Sequence, residues 1–205
     1  GNITYNRFRC NYNSAKWCNP CYSLIMPVTI NGNGTVTGLT ALPDSAMSSG
    51  SIIQVVSTSK KGVVSSTSSS FAAMTGMSAS ITPSSASNKI LIRVCLGTVA
   101  TTNNQYAHFI RLYKDGSHLT DASASTAGSR ISCFLGGRTT NVNHSQGYSG
   151  EYLDTAGGTS SITYAIYWTA EGGFGTIYLN SEQGDPNGGA YHNNISTITL
   201  MEVAA

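Results

Sequence analysis

Ile162, Tyr164, Ile166 and Trp168 alternate with Thr163, Ala165, Tyr167 and Thr169. A period of two over eight residues is the signature of a strand with one apolar face, and no helix can bury that set together. Residues 89–99 repeat the pattern, with Ile90, Ile92, Val94 and Leu96 on one side and Leu91, Arg93 and Cys95 on the other. Both of those sides are largely apolar, which places the strand centrally in a sheet. Lys114-Asp115-Gly116-Ser117 between two alternating segments is a hairpin signal. Further strands are expected at 35–39, 51–59, 130–135, 146–154, 173–180 and 195–203, with one or two short ones in 71–81. Turn residues separate them and no segment carries a helix-length pattern, so the chain is expected to form an all-β sandwich or barrel.

Composition agrees with strands joined by turns. Ser, Thr, Gly, Asn, Val, Ile and Tyr dominate, while Leu, Glu, Lys and Gln are scarce. Only 10% of the residues are charged, against roughly 25% in an average domain. Hydroxyls and amides must therefore supply most of the solvation, as in proteins that live outside cells, in fibres, or packed against identical neighbours.

The net charge of +2 is unevenly placed. Residues 51–205 hold eight Lys and Arg against eight Asp and Glu, and the excess lies in Arg7, Arg9 and Lys16 against Asp44. A neutral body lacks the basic patch that nucleic acid requires, and the attraction to an anionic membrane. No apolar run reaches the ~18 residues that cross a bilayer. The start carries no secretory pattern, and Tyr5 stands where a myristoylation signal needs Ser or Thr. Neither nucleic acid nor membrane insertion is expected.

At 205 residues the chain has room for one full domain and an appendage. Residues 1–34 read as an N-terminal arm, 35–50 as a short strand and linker, and 51–205 as the sandwich body. The arm shows no clean period, yet it carries Arg7, Phe8, Arg9, Tyr12, Trp17 and Tyr22, residue types that anchor interfaces. It is expected to attach the module to something else.

Few residues suggest chemistry. Cys18-Asn-Pro-Cys21, with Cys10 upstream, has thiolate spacing that suits Zn²⁺, but the arm offers no fourth Cys or His. Free thiols or one local disulfide are the plainer reading, with a fourth ligand from the body or a neighbouring subunit as the alternative. Cys95 and Cys133 read as buried small hydrophobes. Glu151 and Asp154, three apart in a strand, fall on opposite faces and make no acid–base pair. The Gly32-to-Gly38 run misses dinucleotide spacing by one residue, no nucleophile elbow or HExxH is present, and the oxygen-rich loop from Glu182 lacks calcium-loop spacing. No catalytic residue and no cofactor is expected. Two Gly-rich stretches mix rings with amides, as a sugar- or protein-binding loop does: 136–148, with Arg138, Asn143, His144 and Tyr148, and 184–194, with Tyr191 and His192. Ordinary turn chemistry accounts for the same residues.

Several stretches resemble a module of tail-fibre-like and other virion proteins from phages of cyanobacteria and marine bacteria. They are 35–39 with its Gly flanks, SGSIIQVVS at 49–57, Phe71 and MSASITP at 77–83, SNKILI at 87–92, 159–164, and STITLMEV at 196–203. The resemblance implies a jelly-roll-like head, a homotrimer, and no catalysis. It points to a virion protein that binds a host-surface glycan or protein through loops. The alternative is a capsid decoration protein that grips the shell, and other virion proteins, through its arm.

Overall fold

The computed structural model describes residues 29–30, 36–37, 47–102, 106–139, 145–173, 175–182, 187–189 and 192–205. The chain divides into two compact units, Gly1–Leu42 and Pro43–Ala205. In the first, strands β1 (Thr29–Ile30) and β2 (Val36–Thr37) pair antiparallel, Thr29 opposite Thr37 and Ile30 opposite Val36. The turn signal at Asn31-Gly32-Asn33-Gly34 falls between them in sequence. Arg7, Phe8, Arg9, Tyr12, Trp17, Tyr22 and the three early cysteines lie outside the described residues.

Among the described residues of the second unit, the regular structure is strand apart from two single 3-10 turns. Its strands are β3 (Ile52–Lys61), β4 (Val64–Ser66), β5 (Ala72–Ile81), β6 (Lys89–Thr101), β7 (Ala107–Lys114), β8 (Ser117–His118), β9 (Leu135–Arg138), β10 (Gln146–Thr155), β11 (Ile162–Ala170), β12 (Ile177–Leu179) and β13 (Ile195–Val203). One sheet runs β3-β13-β6-β10 and the other β5-β11-β7, the last flanked by β8 and β9. Val99 pairs with Gln146 on one edge and Leu179 on the other, so β12 continues the line of β13 along β6, and β4 pairs outside β12.

Set aside the short β4, β8 and β12, and eight strands remain. The first pairs with the eighth (β3 with β13), the second with the seventh (β5 with β11), the third with the sixth (β6 with β10) and the fourth with the fifth (β7 with β9). A long hairpin wound into two facing sheets gives this connectivity, the jelly roll.

Alternation builds the core between the sheets. Ile90, Ile92, Val94, Leu96, Ile198 and Leu200 face inward from one sheet, and Met77, Ile81, Ile110, Leu112, Tyr164, Ile166 and Trp168 from the other, all buried. Each side chain of this size contributes about 1.5–3 kcal/mol on leaving water. The hairpin turns at Asp115 and Gly116, both left-handed at φ 48° and 78°, as a two-residue turn between twisted strands requires.

Some sequence expectations need correction. Within 71–81 the chain forms one strand of ten residues, Ala72–Ile81. The strand expected at 130–135 is Leu135–Arg138, because β7 pairs with the Gly136–Gly137 segment, where the missing side chains admit the His108 carbonyl and the Tyr148 hydroxyl. Tertiary fit overrides the β propensity of Ile131, which is left 44% exposed. The strand expected at 173–180 shrinks to β12, since 171–173 form a 3-10 turn with Gly172 and Gly173 at positive φ. Cys95 and Cys133 are free thiols but only partly buried. Cys95 takes the outward phase of β6, opposite to Ile92 and Val94.

Candidate functional site

At the end of the sandwich where β6, β9 and β11 finish and β7 and β10 begin, polar side chains from both sheets meet. His108, second in β7, shares the inward phase of Ile110 and Leu112 and is 1% exposed. Its Nε2 lies 2.7 Å from the hydroxyl of Tyr148 on β10, with the rings edge to face at 5.3 Å. The Tyr148 hydroxyl donates to Oε1 of Gln146, so it accepts from His108, which fixes the ring as the neutral Nε2–H tautomer. Nδ1 of His108 is then a bare buried acceptor, without a partner among the described residues. Burial holds the His108 pKa down at about 4 and pushes that of Tyr148 up to about 12. Neither group changes charge near neutral pH.

Gly137 makes the arrangement possible. A Cβ there would lie 2.0 Å from the Tyr148 hydroxyl, well inside contact distance. Beside it, Arg138 Nη2 donates to Glu171 Oε2 at 3.0 Å, and the same oxygen accepts the Ala107 amide at 2.9 Å. Thr101 and Thr139 join hydroxyls at 3.0 Å.

A second polar group lies where β12 and β13 abut β6. His192 places Nδ1 3.0 Å from Oε1 of Glu182 and Nε2 3.4 Å from the Thr98 hydroxyl. Asn194 donates to the Gly97 carbonyl and to Thr98. Ser196 donates to Oδ1 of the buried Asn180, whose amide reaches the Lys60 carbonyl.

The described residues of the two expected recognition loops are placed as follows. Arg138 and Tyr148 belong to strands β9 and β10, and both are engaged with neighbours. Tyr148 is half-buried as a tie between sheets. Arg138 and Tyr148 share one rim, whereas His192 has its own set of partners. Asn143, His144 and Tyr191 lie outside the described residues.

Sequence reading passed over three residues. His108, Glu171 and Glu202 each organise a cluster. Two of them carried a signal: His108 is in phase with Ile110 and Leu112, and Glu202 is in phase with Ile198 and Leu200, so both were marked as polar groups inside an apolar alternation. Glu202 is fully buried at the opposite end. Its carboxylate accepts the Ser84 amide and hydroxyl at 2.8 Å each, and the Asn88 and Gln54 amides at 2.6 Å each. Burial pushes its pKa up, but the donors of Asn88, Gln54 and Ser84 outweigh that and leave it below the ordinary value. A cavity of about 280 Å³ lined by Met47, Ser84, Ser85, Ser87, Asn88, Ala204 and Ala205 adjoins this cluster.

Among the described residues, no three of His, Cys, Asp and Glu are placed to hold a metal ion. No helix among them is long and apolar enough to cross a membrane. No protein-family model matches the chain, and no curated protein matches it.

Proposed function

We propose that the chain is a non-enzymatic structural module of a bacteriophage virion, of the tail-fibre or adhesin kind, which meets a host-surface glycan or protein. The observation that carries the reading is the eight-strand jelly roll, an architecture of viral capsid and lectin domains. It stands beside the tail-fibre-like stretches of the sequence. A rigid sandwich that holds polar rims in place is a suitable scaffold for recognition by its connecting segments. The polar groups described act in holding: His108 and Tyr148 tie the sheets, Arg138 and Glu171 brace the rim, and Glu202 closes the far end. Three copies are the expected assembly, and the particle the expected location.

A second reading, capsid decoration, is favoured by one observation, the separation of Gly1–Leu42 as a compact unit of its own. In that case the first unit grips the shell and the sandwich covers it.

Antibodies against the purified chain, applied to intact particles in a lysate of a phage that encodes it, test both. Label on fibres supports the adhesin, and label over the head supports decoration. Particles that bind no antibody, with the protein left in the soluble fraction, would contradict both.

A further inference from the structure

Of the five exposed large apolar side chains among the described residues, four lie on one surface: Ile52, Val55, Leu153 and Ile195, each 49–56% exposed. That surface is the outer face of the sheet β3-β13-β6-β10. Strand register lines its residues up in rows across all four strands. Val55 is opposite Met201, Met201 opposite Leu91, and Leu91 opposite Leu153, an unbroken apolar row. The row on one side is Ile52, Val203, Lys89 and Thr155, and on the other Ser57, Thr199, Arg93 and Glu151. These residues take the outward phase, since Ile90, Ile92, Ile198 and Leu200 between them are buried.

The outer face of the other sheet is different. There Tyr113 stacks on Tyr167 at 3.7 Å between ring centroids, and the Arg111 guanidinium lies 3.9 Å over the Phe71 ring. Its large side chains cover one another. On the first sheet the apolar row faces outward with Val55 and Leu153 more than half exposed, and a contiguous apolar patch rimmed by polar residues is the mark of an interaction surface.

Charge identifies the occupant. Arg93 and Glu151 are cross-strand neighbours in the row beside the apolar one, both exposed, yet neither has an ion-pair partner among the described residues. That row thus sets one cation beside one anion and is its own complement, while Lys89, in the row on the far side of the apolar one, is held to the Thr155 hydroxyl at 2.8 Å. We infer that this face packs against a second copy of this chain, apolar row on apolar row, with Arg93 of one copy meeting Glu151 of another. The match closes about a two-fold axis, where each copy gives and receives the pair. A body with as many cations as anions presents little long-range repulsion to such contact. The inference stands independently of the virion reading, because it concerns only what covers the sheet.

The test is sedimentation of the full chain over a micromolar concentration series, with four variants. Val55→Asp with Leu153→Asp places charge in the apolar row and should leave a monomer with an unchanged far-UV spectrum and melting temperature, since both side chains are on the surface. Arg93→Glu alone, and Glu151→Arg alone, should each weaken association roughly tenfold or more. The double exchange Arg93→Glu with Glu151→Arg should restore it, and an unchanged melting temperature in both single variants separates contact between copies from strain between the paired strands. A wild-type chain that is monomeric throughout, or association that ignores the aspartates and the charge exchange, would overturn the inference.

Discussion

The Tyr148 hydroxyl of one sheet lies 2.7 Å from Nε2 of His108 on the other, so a hydrogen bond between a buried histidine and a half-buried tyrosine ties the two layers at one rim. At the opposite end Asp154, also on β10, accepts the Lys114 ammonium and the Tyr164 hydroxyl of the second sheet at 2.7 Å each. Strand β10 thus fastens the sandwich at both ends, and the apolar core fills the space between. These ties lead to specific expectations.

Tyr148→Phe removes the hydroxyl but keeps the ring. It leaves the His108 Nε2–H and the Gln146 oxygen without their partner, which costs about 1–3 kcal/mol when the site is buried. Gly137→Ala should cost more, because its Cβ would lie 2.0 Å from that hydroxyl and must displace the tyrosine. Urea denaturation of both variants at neutral pH measures the difference. Wild-type stability in Tyr148→Phe would show that the tie is not formed.

Stability should fall as the solution is acidified. The His108 ring stays neutral in the fold down to about pH 4, whereas its ordinary value is 6.5. Between those values the unfolded chain binds a proton that the folded chain refuses, so stability is full above pH 6.5 and declines towards pH 4. The gap corresponds to about 3 kcal/mol. His118, lowered by burial and by Arg111, acts in the same direction. Glu202 adds a separate loss, since its lowered pKa stabilises the fold above 4.5 and that contribution disappears as pH falls through its folded value. Denaturation at pH 7.5 and 4.5 should show the decline, and His108→Gln should flatten it. Equal wild-type stability at both pH values would contradict the assignment.

Glu202→Ala should be among the most damaging single changes. It strands the Asn88 and Gln54 amides and the Ser84 amide and hydroxyl, donors that now bond a buried carboxylate. Hydrogen bonds to a charged group contribute about 1.5–3 kcal/mol each, so a loss of several kcal/mol is expected by thermal or urea melting. Arg138→Ala, which removes an ion pair with both side chains well exposed, should by contrast be close to neutral.

Removing residues 1–34 should leave the melting temperature of the body nearly unchanged and abolish association with particles. Its aromatic and cationic side chains have no periodicity that would bury them in a core of their own. Calorimetry of the truncated chain, with co-sedimentation on phage particles, checks both halves. Aggregation of the truncated body would show instead that these residues belong to its core.

Strands whose fate is decided locally were legible in the sequence. The alternation of Ile162 to Trp168, the two-sided apolar pattern of 89–99, the Asp115-Gly116 turn and the closing strand Ile195–Val203 all depend on near neighbours in the chain. Strand β9 was not legible, because Gly136 and Gly137 pair there only through what β7 and β10 bring against them. The same distance effect turned Arg138 from a loop residue into a strand residue with a partner, whereas Tyr148 already lay in the strand expected at 146–154. His108 and Glu202 were marked by phase, but their clusters draw on residues 40 to 148 positions apart in the chain. No local pattern reports such a meeting.

The most direct test of the virion reading is a cryo-EM map of an intact particle from a phage that encodes this chain. The expected result is density for the jelly roll on the outside of the particle, in copies related by symmetry, with the apolar row Val55–Met201–Leu91–Leu153 covered between them. A particle with every outer density assigned to other proteins, and none to this chain, would contradict the account.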